Sequence, residues 1–376
     1  MSEKIDNSIN NSDVVQKYKT AGEISGKVLA HVKTLCVAGA KVYDICVAGD
    51  ELLDSKLGEI YNNKKTSKIP KGIAFPTTVS PNEVTAHLSP INADEPSNIE
   101  LKAGDVVKIE LGAHVDGFAS IVADTIVVDA AGPITGRVAD VLAAAHYASE
   151  AAIRTMEPGK KNWDVTRVVD QVAKAYGCVA LEGMLSHNQE RNKLNGPKEI
   201  IINPSEQQKA SVAAMKFEDA EVYGLDILIS TGDGKVKQGE TRTTIYKLTG
   251  NTYQLKLKAS RAVLNEIKEK ASDFPFSTRN LNDPTKGRMG LQECVNHNVM
   301  NAYDVMYEKE GAIIAQFYTT VAVTKNGNVK LSSPDFDISS VQSDKKIEDQ
   351  DILDVLEKSL KVNKKKAKKA AAAASA

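Results

Sequence analysis

The feature that most constrains the fold of this chain is that it echoes itself. Gly39-Ala40-Lys41-Val42-Tyr43-Asp44-Ile45 returns as Gly159-Lys160-Lys161-Asn162-Trp163-Asp164-Val165. Each copy follows a helical pattern and opens another. About seventy residues after each comes an apolar strand carrying one acid: Val106 to Leu111 with Glu110, and Val222 to Leu228 with Asp226. A histidine precedes each acid, His87 before Glu110 and His187 before Asp226. Helix, glycine-lysine turn, helix, histidine and acid-bearing strand in the same order twice indicate a duplicated half-domain. Two halves sharing one core would make a single unit of most of the 376 residues, although length alone suggests two domains.

The first acid-bearing strand sits in a hairpin. Two β-branched runs between Gly104 and Asp129 flank Asp116-Gly117, a dipeptide that favours a tight turn. With a loop from His114 to Gly117, Glu110 would stand opposite Ile121 on one face. Two carboxylates so placed could bridge a pair of metal ions. Ile121 offers no ligand atom.

Several segments carry a resemblance to a known family. They are Gly72-Ile73-Ala74-Phe75-Pro76-Thr77, Ala86-His87-Leu88-Ser89-Pro90 and Leu111-Gly112-Ala113-His114-Val115-Asp116-Gly117-Phe118. Further on come Glu182-Gly183-Met184-Leu185-Ser186-His187, Arg242-Thr243-Thr244-Ile245-Tyr246-Lys247 and Tyr307-Glu308-Lys309-Glu310-Gly311. From about Asp13 to about Phe336 the chain resembles the methionine aminopeptidase-like pita-bread proteins, most closely their non-peptidase branch. That branch holds ErbB-receptor-binding and proliferation-associated proteins, with curved-DNA-binding and ribosome-associated members.

The resemblance implies an α/β (α+β) pita-bread fold with pseudo-twofold duplication. Its halves would span about 13–130 and 136–330, with an inserted subdomain at about 194–220. A mobile arm would precede it at 1–12, and a polar region with a lysine-rich tail would follow at 337–376. It also implies a site. In the peptidases two Asp, one His and two Glu hold two metals. Carried over, these fall on Glu110, Ile121, His187, Asp226 and Tyr318, and a substrate-handling His falls on His87. Ile121 and Tyr318 stand at the bridging positions and supply no carboxylate, so the expectation is a pseudo-peptidase without cofactor. Glu110, His187 and Asp226 remain as one imidazole and two carboxylates, enough in principle for a single metal. The bland alternative is a polar remnant.

Composition agrees with a soluble intracellular protein, 42% apolar and 26% charged, with neither a hydrophobic leader nor a run long enough to cross a membrane. Cys36, Cys46, Cys178 and Cys294 show no metal spacing and fit core thiols in a reducing compartment. The charge is segregated. Lys361, Lys364, Lys365, Lys366, Lys368 and Lys369 form an acid-free tail; the rest of the chain has 42 basic residues against 49 acidic, a net of −7. Such a tail can bind phosphate backbones without reading sequence, serve as a nuclear import signal, or simply be solvated. Other basic stretches are the Tyr61–Gly72 loop with Lys64, Lys65 and Lys68, the Leu194–Ala220 stretch, and a helix read over Gln254–Lys270 with Lys256, Lys258 and Arg261.

Three functions follow as expectations. The first is a non-enzymatic binding protein for a ribosomal subunit, structured RNA or curved DNA, acting in ribosome biogenesis, translation or growth control in cytoplasm and nucleus or nucleolus. The second is an active methionine aminopeptidase. The third, compatible with the first, is a growth-signalling scaffold for protein partners.

Overall fold

Two helix pairs lie against one sheet, and the echo explains why. The computed structural model describes residues 6–92 and 96–361. The first half runs α1 (Ser12–Leu35), α2 (Val42–Gly58), β1 (Lys71–Pro81), β2 (Val84–Ala86), β3 (Val106–Val115) and β4 (Phe118–Val127). The second runs α3 (Gly136–Thr155), α4 (Asn162–Ala175), β5 (Val179–Ala180), β6 (Met184–Gln189), β7 (Glu199–Ile202), α5 (Glu206–Ser211) and β8 (Glu221–Ser230). Then follow β9 (Lys237–Gln238), β10 (Ile245–Leu248), α6 (Lys258–Lys270), β11 (Phe276–Ser277), α7 (Pro284–Asn296), β12 (Met300–Tyr303) and β13 (Met306–Tyr307). The chain closes with β14 (Ile314–Val323), β15 (Val329–Ser332) and α8 (Gln350–Glu357).

The echoed turns make the same bonds. Gly39 N–H donates to Leu101 O, and Leu101 N–H to Ala40 O, both at 2.8 Å. Gly159 N–H donates to Phe217 O at 2.9 Å, and Phe217 N–H to Lys160 O at 3.0 Å. The next helix then starts with Val42 N–H on Ile99 O in one half and Asn162 N–H on Met215 O in the other. Gly39 and Gly159 have φ of +86° and +93°, a region costly for other residues. Each turn thus tucks a helix start onto the segment leading into the acid-bearing strand, and both acids come into the sheet at matching positions.

The large sheet has the order β1-β3-β4-β14-β8-β6-β7, with β15 beside β14 and β5 beside β8. Alternate residues of β3, among them Val107, Ile109 and Leu111, join a buried apolar cluster with Val28 and Val32 of α1 and Leu53 of α2. Leu225, Ile227 and Ile229 of β8 do the same with α3 and α4. Residues of opposite parity, Glu110 and Asp226 among them, therefore face away from the helices.

Two expectations are corrected here. Residues 194–220 do not form an inserted unit: Glu199–Ile202 is β7, paired with β6 in the large sheet. A separate three-stranded sheet, β11-β10-β12, carries α6 and α7 between residues 245 and 303. Its own core includes Leu255, Val263, Ile267, Leu291 and Cys294. Residues 6–11 are not a free arm, because Ile9 packs on Val14, Tyr18 and Phe118, and Asn11 caps α1. After Pro334 the described chain wraps onto the second half, where Ile347 and Ile352 are buried in its core. All four cysteines are buried and free. No helix among the described residues is long and apolar enough to cross a membrane.

Candidate functional site

The hairpin turn is Asp116-Gly117 alone, with φ of +56° and +81°, the pair of positive values a type I′ turn requires. Two residues of loop, not four, move the register. Glu110 pairs with Ala123, and Ile121 with Gly112. Because the shift is two residues, Glu110 and Ile121 still share a face. His114, expected in the loop, lies in β3 and stacks on Phe274 with ring centroids 4.3 Å apart.

Across the sheet the register lines up one row: Thr78, Glu110, Ala123, Tyr318, Asp226. Paired residues share a face, so four strands bring the two acids and Tyr318 together. Between the acids sits Gln316, two residues before Tyr318 and on its face. Its Nε2 donates to Asp226 Oδ1 at 2.9 Å and to Glu110 Oε2 at 3.4 Å. Tyr318 Oη accepts from Gln189 Nε2 at 3.3 Å. Gly224 makes room for that hydroxyl, since a Cβ there would stand 1.8 Å from it.

Burial, then the Asp226 charge, holds the Glu110 carboxyl well above its ordinary range, against the opposing Gln316 bond. Burial raises Asp226 to about 7. Tyr318 rises for the same reason, reinforced by the two acids. Low dielectric and like charge both favour a protonated pair.

Apolar groups close the space in front. Ile121, Phe75, Leu194, Ile245 and Phe274 form one cluster, with Tyr303 and Tyr318 packed against it. His187 is on the row's face opposite Gly224, but its Nδ1 lies 3.3 Å from Gly196 O and 3.8 Å from Glu199. His87 has φ of +67°; its Nδ1 lies 3.1 Å from Asp304 O, and its ring is set edge-on to Tyr303. Among the described residues, no three His, Cys, Asp or Glu side chains are grouped to hold a metal. Glu110 and Asp226 do come together, while His187 lies on the same face with its Nδ1 on Gly196 O and is not grouped with them. The amide that bridges the acids and the isoleucine beside them do not fit the family's pair of metal ions. Gln316 was missed as a site residue; its two-residue spacing from Tyr318 on a strand was the available signal.

The basic candidates occupy separate places. Lys64, Lys65 and Lys68 are exposed on the loop before β1. The helix read from Gln254 starts at Lys258, because Glu293 of α7 accepts the N–H groups of Lys256 and Leu257 and holds them outside it. Lys256 and Lys258 are exposed, while Arg261 turns its guanidinium back onto Leu255 O and Lys256 O. Lys361 is the last described residue; Lys364, Lys365, Lys366, Lys368 and Lys369 lie outside the described residues.

Comparison with known proteins agrees with this geometry. The description "Metallopeptidase family M24" matches residues 16–207. The chain is 51% identical to the "Curved DNA-binding protein" of Schizosaccharomyces pombe, over 97% of this chain and 96% of that one. It is 43% identical to "ERBB-3 BINDING PROTEIN 1" of Arabidopsis thaliana, over 87% of this chain and 82% of that one. The solved structure of a thermophilic Arx1 superposes with a TM-score of 0.88 at 38% identity, covering 94% of this chain and all of that one. The chain therefore belongs to metallopeptidase family M24, on the pita-bread fold, in the branch of curved-DNA-binding, proliferation-associated and ErbB-3-binding proteins.

Proposed function

We propose that this protein is a non-enzymatic binding protein on a degenerate aminopeptidase fold, contacting nucleic acid, in particular ribosomal RNA, with protein partners besides. One observation carries the reading. The face that should hold two metals has Ile121 and Tyr318 at the bridging positions and the Gln316 amide between the two remaining acids. A metal-activated hydroxide needs both ions held by charge, and an amide donor between the carboxylates competes for the same lone pairs. The S. pombe relative named as a curved DNA-binding protein supports nucleic-acid contact. The Arabidopsis relative named for ErbB-3 supports protein partners. The exposed Lys64, Lys65 and Lys68, and Lys256 and Lys258, are the body's candidate phosphate contacts. Cytoplasm and nucleus are the compartments this role implies.

The test has two arms. Met-Ala-Ser peptide is incubated with the protein and cobalt, manganese or zinc; no methionine is released. The same preparation co-sediments with large ribosomal subunits in moderate salt. Charge reversal at Lys64, Lys65 and Lys68, and separately at Lys256 and Lys258, weakens that association similarly for RNAs of different sequence, because phosphate contacts carry no sequence information. Chelator-sensitive turnover would overturn the pseudo-enzyme. Undiminished sedimentation in both variants would remove these two basic patches from the RNA contact.

A further inference from the structure

A polar pocket opens where the β6–β7 loop meets the small sheet of residues 245–303. Its volume is about 780 Å³, and Tyr303 forms part of its lining. Tyr303 also packs against the cluster that fills the old site. The pocket therefore lies over the closed cleft, and nothing in the remnant site uses it.

Its charges are unusual. Arg191, Lys193 and Lys247 line it, against one carboxylate, Asp273. Arg191 is already spent on the hairpin turn: its Nε donates to Asp116 O at 2.9 Å, and a second guanidinium nitrogen pairs with the Asp116 carboxylate. Among the described residues, Lys193 and Lys247 have no carboxylate within ion-pair distance. Lys247 is half-buried, and its Nζ donates to Asn195 Oδ1 at 2.7 Å. Burial pushes its pKa down; Asp273 opposes this, and neighbouring Lys193 adds to it. Lys247 is half-buried beside the exposed Lys193, and Asp273 is the one carboxylate facing them, so the pocket keeps an excess of positive charge that an anion would offset. Lys247 also ends the Arg242–Lys247 run that stood out in the sequence.

We propose that this pocket binds single-stranded RNA, with a phosphodiester between Lys193 and Lys247 and a base against Tyr303. The assignment rests on the nucleic-acid reading above and adds its site. A carboxylate ligand would favour the bidentate fork of an arginine, and the one arginine here is taken by Asp116. Ammonium groups serve a phosphate as point charges. The amides of Asn195 and Asn301 supply donors and acceptors for base edges, and an aromatic wall suits an unstacked base.

The experiment uses the full chain and a fluorescein-labelled short oligouridine in an anisotropy titration over a range of salt. A second oligouridine carries 4-thiouridine for photo-crosslinking. The Lys193→Gln/Lys247→Gln double variant is expected to bind roughly tenfold more weakly, with a log-log salt slope shallower by about 0.7, one phosphate contact on a single strand. In the wild type the crosslink falls on the peptide containing Tyr303. Circular dichroism and thermal melting of the variant match the wild type, because neither lysine joins a core cluster. If the wild type binds the RNA but the variant matches it in affinity and slope, the pocket assignment is overturned while the nucleic-acid reading stands. If a crosslink appears only elsewhere, the pocket is likewise excluded. If the wild type binds no RNA, both fail. Displacement of the RNA by an oligoglutamate peptide at equal charge would make the ligand an acidic peptide and overturn the assignment to RNA.

Discussion

At the scale of single residues, burial holds the two acids of the remnant site above their ordinary range. In an unfolded chain Asp226 ionises near 3.8; in the fold burial moves it to about 7. The folded state binds the proton more tightly, so this group's contribution is fully present below the unfolded value. It is lost as pH rises through 7. Asp226→Asn keeps an oxygen to accept the Gln316 N–H and removes the titration. The variant should melt close to the wild type at pH 4.5 and a few degrees above it at pH 7.5, since 1 kcal/mol moves the Tm of a large domain by roughly 2–4 °C. Thermal melts at the two pH values decide this. An offset of equal size at both would show that Asp226 does not carry the shifted proton. Glu110 and Asp226 were legible from the sequence as paired acids. For Gln316 the sequence offered only its two-residue spacing from Tyr318, which sets its face but not the acids it reaches on other strands.

At the scale of elements, strand register decides what each residue meets. Gly224 faces His187 on β6 and lies under the Tyr318 hydroxyl of β14. A methyl group at 224 would clash with that oxygen at 1.8 Å and with Gln189 Nε2 at 2.6 Å. Gly224→Ala should destabilise the protein by about 1–3 kcal/mol, the usual cost of overpacking. Adding Tyr318→Phe removes the nearer clash and should restore part of the loss, so the two changes will be non-additive. Urea melts of the single and double variants measure the coupling; simple additivity would mean that the hydroxyl does not occupy that space. The hairpin shows how far register is readable. Asp116-Gly117 announced the turn, but the choice between a two- and a four-residue loop set which residues face each other. Ile121 kept its face only because the difference was even.

At the scale of the whole molecule, charge is divided between an acidic body and a basic end. The six lysines from Lys361 to Lys369 carry no nearby acid in the sequence. Engaged on a duplex, they should give a salt slope as steep as roughly −5. Removing the residues after Leu360 should flatten the slope while leaving the thermal melt unchanged, because the segment is mostly lysine and alanine, with Val362 its one larger apolar side chain. Equal affinity and slope after removal would make the tail a solvated end or an import signal. Repetition determined the larger plan. Two glycine-lysine turns, each at a helix start, required two similar halves, and the apolar alternation of the acid-bearing strands required one face on helices and the other free. The absence of a carboxylate at Ile121 and Tyr318 was also plain from residue type alone. Only the tertiary structure decided the rest. It placed the separate small sheet at residues 245–303 rather than at 194–220, because a short apolar run such as Glu199–Ile202 reads alike as insertion or edge strand until it finds a partner. It turned His187 toward Gly196 and set Gln316 between the acids. It also brought Lys193 and Lys247 together from segments more than fifty residues apart. Local pattern determines which face a side chain takes; which distant group it then meets depends on how the strands and loops pack.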